Sequence, residues 1–349
     1  MVSSAFAADT KVKGRLYANW NMDLTDGAES ANRFNIKTAY VTVKAKLSIY
    51  TPVRITTDIK DTSAFDGYSI ILKYGYIDWK PEFGHGNLKA RFGLQPTLFI
   101  DNMNKLWGRR YLEKTVGDVN KFLTTSDLGA SAFVKLGKTG YAALQILNGT
   151  KYTKVEELNK NKDIGLFALL KPFANNENLK RSRLLGQAYF GTQNVSLMPG
   201  VDVTADSTDM KASQFKHQII SFGGMLGYSN KLDVGFDANF MTKGTGYNDT
   251  TGVALDDLKS SGISLFGTLY FEGLTESDSF ARTLNLFGRF DMLDENTDLA
   301  NDGKSLFIVG LECNPTKGFK ASLNLRTTSY ELDGKDSESE LFINTLFKF

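Results

Sequence analysis

The chain of 349 residues has one cysteine, two histidines and six prolines. A single cysteine excludes a disulfide framework and any iron–sulfur or zinc site that needs several cysteine ligands. Two histidines argue against a histidine-rich zinc or di-iron centre. The charge is almost balanced, with 41 Lys and Arg against 39 Asp and Glu. The whole molecule therefore has no electrostatic attraction to nucleic acid.

Long hydrophobic runs are also missing. The longest stretch without a charged residue, Leu184–Val201, contains Gln187, Gln193 and Pro199. A transmembrane helix needs about 20 predominantly apolar residues, so the sequence predicts no such helix. What the chain does have is 25 Phe, 14 Tyr and 32 Gly, a mixture that favours strands. This composition leaves a soluble all-β protein or a membrane β-barrel.

The first residues resemble the end of a secretory signal peptide. Ala5-Phe6-Ala7 fits the small-x-small pattern of a cleavage site. The apolar stretch that should precede the site is missing, which suggests a truncated start; the alternative is an alanine-rich tail. We therefore predict a signal-peptide remnant in residues 1–7 and one β-barrel domain in residues 8–349.

A period of two residues dominates the rest of the chain. In the first strand six apolar or small residues alternate with six polar ones: Val12, Gly14, Leu16, Ala18, Trp20 and Met22 against Lys11, Lys13, Arg15, Tyr17, Asn19 and Asn21. Such alternation predicts a strand with one apolar and one polar face. A soluble sandwich could show it too, but strands of ten or more residues are longer than the usual 5–6.

Sixteen strands are predicted, although 14 or 18 remain open. Their ranges are Lys11–Asp23, Arg33–Leu47, Val53–Lys60, Ser69–Trp79, Asn87–Leu94, Asp127–Leu136, Tyr141–Asn148, Asp163–Lys171, Arg183–Gly191, His217–Tyr228, Leu232–Thr242, Gly262–Phe271, Thr283–Met292, Ser305–Asn314, Phe319–Ser329 and Glu340–Phe349. The parity of the second strand changes near Lys37, which predicts a bulge there. The fourth strand is apolar on both faces, so its orientation stays unassigned.

The last strand carries a family resemblance. Leu341, Ile343, Thr345, Phe347 and the terminal Phe349 share one parity. Here the chain resembles Gram-negative outer-membrane β-barrel proteins, and its strand count and alternating short and long connections resemble the sixteen-stranded porins. The resemblance implies passage of small hydrophilic solutes through the outer membrane, contact with lipid and lipopolysaccharide, a homotrimer, and no cofactor.

The polar face of the predicted strands carries more basic than acidic residues. A barrel of 16–18 strands encloses water, so this face would line a pore and favour small anions over cations. The alternative is that these cations only pair with acids on the wall. The arginines and lysine of the strands that we predict to line the pore are Arg15, Arg54, Lys89, Arg91, Arg183, Arg289 and Arg326.

The longest connection, residues 95–126, is the predicted constriction loop, because the corresponding loop of the porins folds inward. It is rich in apolar residues that need a surface to pack against. We predict that Lys105, Arg109 and Arg110 face the lumen, with Asp101, Glu113 and Asp118 balancing them. A cap on the outer rim or a subunit contact is the alternative. The Trp-Gly-Arg-Arg-Tyr segment is weakly similar to phosphate-selective porins, without implying phosphate specificity.

Enzymatic activity is not predicted. His85 lies in a predicted turn and His217 at a strand end, and neither has a nucleophile or acid partner in the pattern. An acidic loop between Asp291 and Asp302 could bind calcium or bridge lipopolysaccharide, but it lacks the Gly and the terminal Glu of an EF-hand, so a solvated loop is the favoured interpretation. The alternatives to a porin are a plugged or partner-bound barrel that serves as scaffold or receptor, and a secreted all-β binding protein.

Overall fold

The computed structural model describes residues 9–27, 32–61, 67–195, 211–247, 253–275 and 280–349. The predicted signal-peptide remnant, residues 1–7, lies outside these ranges. Among the described residues, no helix has the length and apolar character needed to cross a membrane.

Sixteen strands follow one another along the chain, each beginning and ending within a few residues of its predicted range. They are β1 Asp9–Asp23, β2 Asn32–Lys46, β3 Pro52–Asp61, β4 Tyr68–Trp79, β5 Leu88–Pro96, β6 Ser126–Lys135, β7 Gly140–Leu147, β8 Asp163–Leu170, β9 Arg183–Thr192, β10 Lys216–Tyr228, β11 Leu232–Lys243, β12 Leu258–Tyr270, β13 Leu284–Asp294, β14 Lys304–Thr316, β15 Phe319–Tyr330 and β16 Glu338–Lys348. Two helices, α1 Leu98–Trp107 and α2 Val116–Val119, lie between β5 and β6.

The strands form one closed antiparallel barrel in which each pairs with its sequence neighbours and β1 pairs with β16. Closure matters because hydrocarbon offers no partner to an unpaired backbone N–H or C=O. The predicted strand count of sixteen is therefore confirmed, as is the all-β barrel class.

The outward face is apolar, as the alternation predicts. Val12, Leu265 and Leu323 are more than half exposed and point away from the lumen, whereas Asn19 and Asn344 are buried inside. The apolar residues do not meet between two stacked sheets, which distinguishes the fold from a soluble sandwich.

Two strands contain a bulge at an inward-facing lysine. On β2, Thr38 pairs with Tyr17 of β1 and Ile36 pairs with Ala18 of β1, so Lys37 between them is the extra residue, as predicted. On β4, Thr57 pairs with Leu72 and Thr56 with Tyr74, so Lys73 is extra. The second bulge explains why the fourth strand could not be oriented from its sequence, because its parity changes within one apolar run.

The C-terminal residue closes the barrel. The N–H of Gly14 donates to the carbonyl of Phe349 at 3.1 Å, and the N–H of Phe349 to that of Gly14 at 3.3 Å. A Cβ atom on Gly14 would lie 2.0 Å from the ring of Phe349. Glycine at position 14 thus provides the space in which the terminal aromatic ring lies.

The interior is only partly open. The segment between β5 and β6 folds inward, and α1 packs against the inner faces of β9, β10 and β11 while α2 contacts β11 and β12. The predicted inward-folded loop is thereby confirmed. Open space remains next to β1–β4 and, toward the long connections, also next to the ends of β8–β10.

The facing of the strands gives a first testable prediction. Leu265 is 55% exposed on the outer face of β12. Leu265→Arg should destabilise the inserted barrel by about 2–4 kcal/mol, because charge on the lipid face is costly near the membrane midplane. The measurement is the fraction of protein that shows heat-modifiable migration after refolding in detergent.

The matched control is Lys44→Leu, which places an apolar side chain on the inner face of β2. This variant should assemble like the wild type. Equal loss of folded protein from both substitutions would contradict the facing of the strands.

Candidate functional site: a pore beside the inward-folded loop

Helix α1 buries one face against the wall and leaves the other in the lumen. Leu98, Phe99 and Met103 are almost fully buried, whereas the side chain of Lys105 is 64% exposed. The side-chain oxygen of Gln145 accepts from the N–H of Leu98 at 3.0 Å, which satisfies one free N–H of the helix N-terminus. The helix ends at Gly108, whose φ of 68° suits glycine.

The tip of the loop is attached to the wall by Glu312 on β14. This carboxylate, 1% exposed, accepts from Nη2 of Arg109 at 3.3 Å and from the hydroxyl of Tyr111 at 2.7 Å. Lys320 on β15 and Asn285 on β13 also donate to it, at 3.1 and 3.2 Å. With Asn314 on β14, which donates at 3.3 Å, five donors from the loop and three wall strands therefore compensate one buried charge, which is the condition for a stable buried carboxylate.

Arginines of the wall bind the backbone of the loop. Arg289 donates to the carbonyl of Lys114 at 2.6 Å and pairs with Asp291. Arg326 donates to the carbonyl of Leu112 at 2.8 Å and pairs with Glu113 at 2.9 Å. These contacts satisfy carbonyls that an irregular loop would otherwise leave unpaired.

The pKa of Glu113 reflects this attachment. Burial alone would raise the pKa of the carboxyl, but the positive charges of Lys37 and Arg326 outweigh burial and hold it below its usual value. The ionised carboxylate is thus stabilised in place beside the loop backbone.

Two aqueous cavities lie on either side of this loop. The cavity toward the long connections, about 680 Å³, is called here the loop-side vestibule, and the cavity toward the short turns, about 490 Å³, the turn-side vestibule. Tyr40, Arg110 and Thr125 line both. These three residues mark where the two vestibules meet, and hence the narrow part of the pore.

Arg110 spans this meeting point. Its Nη1 donates to the hydroxyl of Tyr40 on β2 at 2.9 Å, and its Nη2 donates to Asp118 at 3.2 Å. Burial opposes the charged form of Arg110, but the neighbouring Tyr40 and Asp118 outweigh burial and hold the pKa of the guanidinium above its usual value. The guanidinium therefore keeps its charge between the two vestibules, where it forms an ion pair with Asp118.

The turn-side vestibule is strongly basic. Its wall carries Lys13, Arg15, Lys44, Arg54 and Lys348. No carboxylate of the described chain lies within ion-pair distance of these five side chains, and Asp101, the one acid lining the vestibule, pairs with Lys105 on α1 at 2.5 Å.

The loop-side vestibule has a mixed lining. Lys37, Lys60, Lys114, Lys121 and Lys151 face four carboxylates, those of Asp58, Asp118, Asp127 and Asp163. Tyr152 of the β7–β8 connection also reaches this cavity, and its hydroxyl lies 3.4 Å from Asp58. Burial, reinforced by the charge of Asp58, raises the pKa of Tyr152, so the phenol keeps its proton and donates it to the carboxylate.

Not every predicted lining residue reaches water. Arg15, Arg54, Asp101, Lys105 and Arg110 line a vestibule. Four others, Arg109, Glu113, Arg289 and Arg326, do not line one, because they lie between loop and wall.

The prediction that Arg109 faces the lumen is wrong. The residue is 4% exposed and lies over the ring of Phe287 at 4.6 Å, with Glu312 and Thr268 as hydrogen-bond acceptors. The inward parity predicted for Arg289 and Arg326 holds, but the space in front of them is occupied by the loop, so an inward side chain there is buried rather than solvated.

The remaining predicted lining residues lie nearer the short turns. Arg91 pairs with Asp78 at 2.6 Å, and Lys89 lies over the ring of Phe133 at 3.6 Å. Arg183 donates to the carbonyls of Lys180 and Ser182 at the start of β9. None of these three is among the residues lining the two vestibules.

The sequence analysis missed several residues of the site. Lys37 and Lys73 occupy the two bulges, where parity gives no direction. Lys44 lies beyond the bulge of β2 and has the inward parity of that part of the strand, so the alternation pattern could have predicted it. Tyr40, Tyr152 and Glu312 have no signal in the sequence, because their roles depend on contacts with residues at least 70 positions away along the chain.

The two histidines occupy separate places. His85 is exposed in the short turn before β5, and His217 on β10 packs its ring 5.9 Å from that of Tyr189. Within the ranges that the structure describes, no cluster of three His, Cys, Asp or Glu side chains could hold a metal ion.

Comparison with known proteins supports the fold. No protein-family model and no curated protein matches the chain. Among solved structures, the chain is similar to the outer membrane channel DcaP of Acinetobacter baumannii, with a TM-score of 0.69, 12% identity and 98% of this chain and 97% of that chain covered. It is also similar to the anion-selective porin from Comamonas acidovorans, with a TM-score of 0.68, 10% identity and coverage of 98% and 100%.

A third similar structure is OmpT, an outer membrane protein of Vibrio cholerae, in its trimer form, with a TM-score of 0.60, 12% identity and coverage of 98% and 100%. Identities this low show a shared fold alone. The chain has the fold of the outer-membrane porins, and the predicted class of outer-membrane barrel is confirmed.

Attachment of the loop gives a second prediction. Glu312→Ala should leave Arg109 buried without a counter-charge and weaken docking of the loop by about 3–5 kcal/mol. The measurement is the rate at which trypsin cleaves after the basic residues of the loop in the folded barrel, which should rise strongly.

Asp101→Ala is the control, because it breaks the ion pair with the exposed Lys105. Exposed ion pairs contribute about 0–1 kcal/mol to stability, so docking of the loop should hardly change. Similar cleavage rates in the two variants would show that Glu312 does not hold the loop.

Proposed function

We propose that the protein is a porin that passes small hydrophilic solutes by diffusion across the outer membrane, with a mild preference for anions. The observation that carries this proposal is the turn-side vestibule, where five basic side chains face water without an acidic partner. A water-filled passage lined by one sign of charge favours ions of the opposite sign.

The strand register strengthens this argument. Lys44 lies directly opposite both Lys11 and Arg54, and Arg15 lies directly opposite Lys348. Like charges in such cross-strand positions destabilise a sheet. Three like-charged pairs in neighbouring strands are therefore unfavourable for the barrel alone, and attraction of anions provides a reason for them.

Arg110 extends the positive field through the constriction. Because its guanidinium lines both vestibules, an anion leaving one cavity meets a fixed positive charge before it enters the other. Low-dielectric walls strengthen this field. Passage requires only pore size and charge, so we propose no bond chemistry, no enzymatic role and no cofactor.

We also propose a homotrimer in contact with outer-membrane lipid and lipopolysaccharide. The trimer form of the similar Vibrio cholerae OmpT supports this assembly, and the apolar outer face supports contact with lipid. The detergent-solubilised protein should then migrate as a trimer before heating and as a monomer afterwards, and chemical cross-linking should preserve the trimer through heating.

The basic vestibule gives a third prediction. Lys44→Ala combined with Arg54→Ala should lower the anion-to-cation permeability ratio, because two of the five unpaired cations are removed. The reversal potential in a salt gradient across a planar bilayer measures this ratio, and the effect should shrink at high salt, where the Debye length is about 3 Å at 1 M.

The control is Lys180→Ala in the β8–β9 turn, where the lysine already pairs with Glu177 outside the vestibules. An unchanged reversal potential in the double variant would refute the anion preference. A folded wild-type barrel that opens no channels would favour the plugged scaffold or receptor instead.

The two adjacent loop arginines give a fourth prediction. Arg110→Ala should lower the permeability ratio with the loop still docked, whereas Arg109→Ala should increase tryptic cleavage of the loop, because Arg109 is buried on Glu312. Bilayer recording and proteolysis of both variants test these two roles. Faster cleavage of the loop in Arg110→Ala, with a lower permeability ratio but a docked loop in Arg109→Ala, would contradict the assignment.

A further inference from the structure

A second connection also enters the barrel. Tyr152 follows β7, and its side chain reaches the inner wall formed by β3 and β4. Its hydroxyl accepts from Nζ of Lys60 and lies 3.4 Å from Oδ2 of Asp58. Its ring centroid lies 3.7 Å from Nζ of Lys73 and 4.6 Å from that of Lys60. One phenol ring thus covers two ammonium groups.

The backbone around Tyr152 is held firmly by Asp127. This buried carboxylate accepts from the N–H of Gly149 at 2.8 Å, from the hydroxyl of Thr150 at 3.0 Å and from the N–H of Lys151 at 3.3 Å. The N–H of Tyr152 donates to the carbonyl of Ser126 at 3.2 Å. Hydrogen bonds therefore hold the backbone of residues 149–152 in place.

The backbone conformation of Lys151 indicates that the segment around Tyr152 is strained. Lys151 has a φ of 124°, a region that residues other than glycine rarely adopt. Such a conformation persists only where surrounding contacts enforce it. The contacts with Asp127 are of this kind.

The charged groups next to Tyr152 indicate the role of this segment. Among the side chains that the structure describes, Asp58 is the one carboxylate within ion-pair distance of this cluster, 3.8 Å from Lys60, and Lys73 has none, while Asp118 acts on both lysines from farther away. Lys73 is 2% exposed, and its ammonium group also contacts the hydroxyl of Thr125 at the constriction. A desolvated ammonium over an aromatic ring is favourable, which makes the covered state stable.

We infer that Tyr152 is a specificity-determining residue of the pore, because its ring separates the ammonium group of Lys73 from permeating anions, whereas Lys60 already lines the loop-side vestibule. The inference rests on the proposed channel function and adds to it. Without the ring, the ammonium group of Lys73 would also face the loop-side vestibule next to Arg110, and the pore would prefer anions more strongly.

The test is Tyr152→Ala in the full-length protein, recorded in planar bilayers under a potassium chloride gradient. The permeability ratio of chloride to potassium should rise by at least about twofold, because charges in a low-dielectric channel act strongly on passing ions. Tyr152→Phe keeps the ring over Lys73 and should stay near the wild-type ratio. Thr153→Ala, on the same loop and lining the same vestibule, should not change it.

A second substitution separates charge from pore size. Lys73→Met alone should have little effect, since the ammonium group is covered, but combined with Tyr152→Ala it should abolish the gain in anion preference. If Tyr152→Ala does not assemble, Tyr152→Leu removes the aromatic face with a smaller loss of volume and should give the same direction of change.

A larger conductance with an unchanged reversal potential in both Tyr152 variants would overturn the inference, because the ring would then only obstruct the pore. Wild-type channels that prefer anions, together with that result, would leave the proposed function intact. A wild-type protein that forms no channels would overturn both.

Discussion

The structure depends on complete backbone pairing around a closed sheet. Sixteen antiparallel strands leave no edge once β1 pairs with β16, and the last residue takes part in that closure through Gly14. Closure points the outward side chains away from the barrel and encloses the inward side chains in a confined space. The charge of that space, and what fills it, then decide what the molecule can do.

Part of the enclosed space is filled by the loop between β5 and β6. Its apolar residues pack on the wall, Glu312 fixes its tip, and Arg289 and Arg326 bind its carbonyls. The opening is therefore displaced toward β1–β4 and bounded on the loop by Arg110. Basic residues consequently have two different roles: those between loop and wall position the constriction, and those facing the open side define the field that ions meet.

Much of this architecture could be predicted from sequence. Alternation gave the strands, their facing and the bulge at Lys37, because lipid contact requires an apolar residue at every second position. The lumen was harder to predict. Inward parity was correct for Arg289 and Arg326, but parity does not reveal which inward residues a folded loop covers. Arg109 and Arg110 are neighbours with opposite surroundings, and only the contacts of Arg109 with Glu312 and of Arg110 with Tyr40 distinguish them.

The bulges of β2 and β4 have a consequence for how such a wall can change. At each bulge two successive residues, Lys37 and Thr38 or Lys73 and Tyr74, face inward, while the alternation of apolar residues toward lipid resumes unbroken on both sides. One residue of each pair has no partner in the register with the neighbouring strand. Strands that otherwise tolerate no change in length thus have one position where a residue can be gained or lost without exposing a polar group to hydrocarbon, and in both strands that position has been used to add a lysine to the channel.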